Sequence, residues 1–65
     1  MKGRGTAHAL VDQRVRLLPT VRHEEYRGQC GTVERYVKVH ESFDVRLDDG
    51  RLYRAYAQNV EIVAD

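Results

Sequence analysis

Ser42-Phe-Asp-Val-Arg-Leu-Asp-Asp-Gly-Arg-Leu-Tyr-Arg-Ala-Tyr56 is the stretch that decides the fold. Phe43, Val45 and Leu47 alternate with Ser42, Asp44 and Arg46, the period-two pattern of a strand with one buried face. Asp48-Asp49-Gly50 is turn chemistry, and Leu52 to Tyr56 reads as the returning strand of a hairpin.

Two registers compete for this hairpin. A two-residue Asp49-Gly50 turn pairs Leu47 with Leu52 and drives Arg54 into the core. A three-residue Asp48-Asp49-Gly50 loop, with Gly50 left-handed in a G1 bulge, pairs Leu47 with Arg51 instead. Val45 then faces Tyr53, Phe43 faces Ala55 and Asp44 faces Arg54. That register leaves Leu52 exposed, which is ordinary, whereas an unpaired buried arginine costs on the order of several kcal/mol. The three-residue loop is therefore expected, with Arg46, Leu52, Arg54 and Tyr56 on the outer face.

Outward from the hairpin, Gln13 to Leu18 reads as a first strand, with Val15 and Leu17 inward and Pro19 ending it. Thr20 to Arg27 is a long charged loop with room for a short helical turn near His23 to Tyr26. Gly28 and Gly31 suggest a left-handed backbone ahead of a strand from Thr32 to Val39. In that strand Arg35 shares the parity of Val33, Val37 and Val39. Either a bulge shifts the phase, or Arg35 snorkels at a rim. Ala57-Gln58-Asn59 suits a single 3-10 turn, and Val60 to Val63 a last strand. The expected core is Val15, Leu17, Val33, Val37, Phe43, Val45, Leu47, Val60 and Ile62. Residues 1–10 read as a flexible basic tail and 11–65 as the folded domain.

Sixty-five residues allow one domain with a small core. A lone Cys30 rules out an intrachain disulfide and fits a reducing compartment. No apolar run resembles a signal peptide or a membrane span, so a cytoplasmic location and no membrane role are expected. The net charge of +1 does not by itself indicate a nucleic-acid or an acidic partner.

Five short strands, a long first loop, tight hairpins and a 3-10 turn before the last strand describe a strongly bent, all-β, five-stranded barrel. On that pattern the chain resembles the SH3-like barrel family over about Val11 to Val63. Arg27-Gly-Gln-Cys-Gly-Thr-Val33 is similar to the glycine-x-x-glycine-x-valine core of KOW motifs, with Arg27 where a lysine is usual. Val45 to Gly50 and Val60 to Val63 are similar to the hairpin and final strand of Tudor-type and KOW-type barrels. A Tudor-type aromatic cage needs several aromatics converging at one end, and nothing in the sequence places these together. Type II dihydrofolate reductases share the barrel but carry a Val-Gln-Ile-Tyr pore segment. Here Arg51-Leu-Tyr-Arg-Ala-Tyr56 stands in its place, so that activity is not expected.

The chemistry-bearing residues do not converge. His8, His23, His40 and Cys30 lack metal-ligand spacing. Glu24-Glu25 and Asp48-Asp49 fall in polar loops, and Cys30 reads as a packing residue. No catalytic residue, metal or cofactor is expected. What remains is binding through Arg46, Leu52, Arg54 and Tyr56, extended by Arg35 and Arg16. The KOW-type resemblance implies RNA or DNA as the ligand. Ten acidic residues weaken the counterion-release term that drives such binding. The alternative is a protein-binding adaptor, with self-association as one form of it.

Overall fold

The computed structural model describes residues 9–63, so most of the expected basic tail lies outside the described residues. Five strands are present: β1 (Arg14–Leu17), β2 (Cys30–Val37), β3 (Ser42–Leu47), β4 (Leu52–Ala55) and β5 (Val60–Ile62). They form one antiparallel sheet in the order β4-β3-β2-β1-β5. Among the described residues β4 and β5 each pair on one side only, so the hydrogen bonding does not close a barrel. Among the described residues two 3-10 turns occur: Glu24–Tyr26, where the first loop had room for a short helical turn, and Ala57–Asn59, the turn expected before β5.

The hairpin adopts the three-residue loop. Phe43 pairs with Ala55, Asp44 with Arg54, Val45 with Tyr53 and Arg46 with Leu52. The Leu47 amide donates to the Arg51 carbonyl at 2.8 Å, and Gly50 sits at φ 95°, the left-handed region. The inward set of β3 and β4 follows directly: Phe43, Val45, Leu47 and Ala55 are buried.

β2 carries a bulge. Val33 faces Val45, but Arg35 faces Asp44, leaving Glu34 as the extra residue. The phase shift resolves the Arg35 anomaly. Arg35 turns outward, and Tyr36 turns inward onto Phe43 with ring centroids 5.3 Å apart. Val37, expected in the core, is thereby moved opposite Ser42 and is only half-buried. β2 also stops two residues early, because Lys38 to Glu41 make a turn that leaves Val39 82% exposed.

The glycines before and in β2 act differently from each other. Gly28 is left-handed at φ 82°, as expected. Gly31 is not; it is needed for space. A Cβ there would overlap the Arg46 carbonyl oxygen and lie 2.9 Å from the Leu47 Cα. The absence of a side chain lets β2 cross β3 closely, opposite Val15 on the other flank.

Val15, Leu17, Val21 and Val33 complete the buried core, with Leu10, Val11, Tyr26, Tyr53 and Val60 packed against it. Ile62 was expected inside and is 57% exposed. It stands opposite buried Val15, but on a three-residue edge strand. Val21, from the charged loop, takes a core position that alternation could not assign.

Candidate functional site, an aromatic groove between the first loop and β4

The first loop, from Leu18 to Gln29, is braced from both sides. Val21 buries its side chain, and the Val21 amide donates to the Leu18 carbonyl at 3.0 Å. The Arg27 guanidinium donates to the Val21 carbonyl at 2.7 Å, and the Gln29 side-chain amide to the Glu25 carbonyl at 2.7 Å. Asn59 ties the loop to the second 3-10 turn. Its side-chain amide donates to the Thr20 hydroxyl at 3.0 Å, and its carbonyl accepts from the Leu18 amide at 2.8 Å. A loop held this way has less conformational entropy to lose when a ligand arrives than a free one would.

Between this loop and β4 lies a groove of about 640 Å³. Thr20, Arg22, His23, Glu25 and Tyr26 form one wall; Leu52, Tyr53, Arg54, Tyr56 and Asn59 form the other. Leu52 and Arg54 point to the outer face of the sheet and Tyr53 to the inner face, so the groove wraps the edge of β4.

Its aromatic part is a three-ring cluster. Tyr26 and Tyr53 have centroids 4.7 Å apart at 36°, and His23 meets both edge-on at 6.2 and 5.7 Å. The Tyr53 hydroxyl and His23 Nδ1 are 3.3 Å apart, within hydrogen-bonding reach. Arg51 caps the cluster, with its guanidinium carbon 4.9 Å from the Tyr26 centroid. Asp49 hydrogen-bonds Arg51 and pushes its guanidinium further above its ordinary value; Tyr26 and Glu25 add smaller pulls in the same direction. The sequence held no signal that these aromatics converge; the loop brings them together.

The six residues expected to form a binding face divide. Leu52, Arg54 and Tyr56 line the groove. Arg46, Arg35 and Arg16 do not, and each is held by a carboxylate: Arg46 by Glu34 at 3.0 Å, Arg35 by Asp44 at 2.8 Å, Arg16 by Glu61 at 2.9 Å. Hydrogen bonding to Glu34 raises the Arg46 pKa, and that to Glu61, then to Cys30, raises the Arg16 pKa. Arg14 pairs with Asp48 at 2.7 Å. Among the described residues, Arg22 and Arg54 have neither an ion pair with a carboxylate nor, as Arg27 has, a side-chain bond to a backbone carbonyl. Both are at the groove.

Among the described residues no three of His, Cys, Asp and Glu are grouped to hold a metal ion. No helix there is long and apolar enough to cross a membrane. Comparison with known proteins returns no matching family model, no matching curated protein and no matching solved structure.

Proposed function

We propose that this protein is a small, non-enzymatic interaction module that captures an extended segment of a partner protein in the groove between its first loop and β4. The observation that carries this reading is the coincidence, in one braced groove, of the His23-Tyr26-Tyr53 cluster with Arg22 and Arg54. Aromatic and arginine side chains are the common anchors of protein interfaces. A reducing, intracellular setting belongs to the same reading, on the lone Cys30.

An SH3-like barrel is part of the proposal. It is supported by the strand order, by the 3-10 turn leading into β5, and by the Gly31 crossing and Glu34 bulge, both of which bend a sheet.

The RNA or DNA reading of the outer face has less support. Exposed ion pairs are weak, about 0–1 kcal/mol each, and a phosphate could displace them. Yet Glu34, Asp48 and Glu61 stay exposed on that face whatever the pairing, buried Asp44 holds Arg35, and their charge opposes the field that phosphate would meet. Tyr26 is also a poor stacking platform, since Tyr53 and Arg51 pack against it.

Amide chemical shifts of ¹⁵N-labelled protein test the proposal, in titrations with a random-sequence peptide pool and with oligothymidylate. Peptide-induced shifts confined to residues 20–26 and 52–59 are expected. Oligonucleotide shifts centred on Arg16, Arg35 and Arg46, with no response to peptides, would overturn it.

A further inference from the structure

The groove follows the edge of a strand, and the backbone of that strand is part of what it offers. In an antiparallel pair, alternate residues aim both their N–H and C=O at the partner strand, and the residues between aim theirs away. The Leu47 amide donates to the Arg51 carbonyl, and the Gly50 amide donates to the Leu47 carbonyl at 2.9 Å. Counting on from Arg51, Tyr53 and Ala55 point their backbone groups at β3, while Leu52 and Arg54 point theirs outward. Outside the strand ladder, no backbone hydrogen bond among the described residues uses the Leu52 or Arg54 groups, and the β3–β4 register puts both in non-hydrogen-bonded pairs. The edge ends at Tyr56, whose carbonyl accepts from the Asn59 amide at 2.8 Å.

We infer that the partner segment binds as an added β-strand along β4 and that it is acidic. This rests on the groove being the binding site, as proposed above. Leu52 and Arg54 supply two donors and two acceptors at strand spacing, the requirement for strand addition. Arg54 and Arg22 supply the charge preference. Glu25 also lines the groove, so the preference rests on two cations against one carboxylate.

A second copy of this chain fits less well. With two β4 strands antiparallel about Arg54, like charges would stand directly opposite, which is destabilising. Arginine on an exposed edge is a common guard against self-pairing. Here the same charge selects a carboxylate-bearing strand.

The experiment is selection of a random peptide library on the full chain, followed by amide hydrogen exchange of the protein with the best peptide bound. Selected sequences are expected to be rich in Asp and Glu and poor in proline, which lacks the N–H that strand addition needs. Exchange at the Leu52 and Arg54 amides should slow by about tenfold or more at saturation. Changing Arg54→Glu or Arg22→Glu should weaken binding by about tenfold or more. Because both side chains are exposed, neither change should disturb the fold, and the wild-type melting temperature checks this. Neutral, basic or proline-rich peptides in the same groove would overturn the acidic-strand inference while leaving the groove intact as a site. So would acidic peptides that leave exchange at Leu52 and Arg54 unchanged. Peptides that shift no groove amide would overturn the groove itself.

Discussion

Tyr26 and Tyr53 come from different parts of the chain, a charged loop and an edge strand, and meet with ring centroids 4.7 Å apart. That contact fixes the distance between the two walls of the groove. A double-mutant cycle with Tyr26→Leu and Tyr53→Leu, read by urea unfolding, should give a coupling of about 0.5–1.5 kcal/mol. Additive losses would mean the rings are neighbours without being partners.

Gly31→Ala should destabilise by about 1–3 kcal/mol or prevent folding, because the new methyl meets backbone, which cannot move aside as a side chain can. Thermal unfolding measures it. An unchanged melting temperature would contradict the close crossing of β2 and β3.

Gly50→Val should cost on the order of 1–2 kcal/mol or more, for a different reason. There a Cβ meets nothing within 4 Å, but φ of 95° strains a β-branched residue. Gly50→Asn should lose less, since asparagine tolerates the left-handed region. Equal losses in both variants would argue for crowding and against strain.

These positions also mark what the sequence could and could not disclose. The hairpin was legible because turn residues and alternation leave only two registers, and the cost of burying Arg54 excluded one of them. Arg35 was ambiguous, since a bulge inserts a residue without a sequence signature of its own, and only the Glu34 offset shows why Tyr36 replaces Val37 inside. Part of one wall of the groove was legible: Leu52, Arg54 and Tyr56 follow from β4 parity. The opposite wall was not. His23, Tyr26 and Arg22 sit in a loop without periodicity, and their positions depend on Val21 anchoring and on the Asn59 and Arg27 hydrogen bonds. The arginines of the outer face looked available for phosphate because their carboxylate partners lie on other strands.

Acid should weaken the hairpin loop. Hydrogen bonds from Arg14 hold the Asp48 carboxyl below its ordinary value of 3.8. Those from the Arg51 backbone, then its side chain, do the same for Asp49. A carboxyl with a depressed folded-state pKa contributes stability above its unfolded pKa and loses it as pH falls through the lower folded value. Stability should therefore drop below about pH 4, and less steeply in Asp49→Asn, which keeps an acceptor for the Arg51 amide. Urea midpoints across that range check it; identical acid slopes in both proteins would contradict it.

Affinity of a library-selected peptide, measured by isothermal titration against two double variants, tests most directly whether the groove is where this protein binds. Arg22→Gln with Arg54→Gln alters the groove, while Arg16→Gln with Arg46→Gln alters the outer face. Loss of about tenfold or more is expected in the first, with the second binding as the wild type does. The reverse pattern would contradict the groove and return the binding site to the outer face of the sheet.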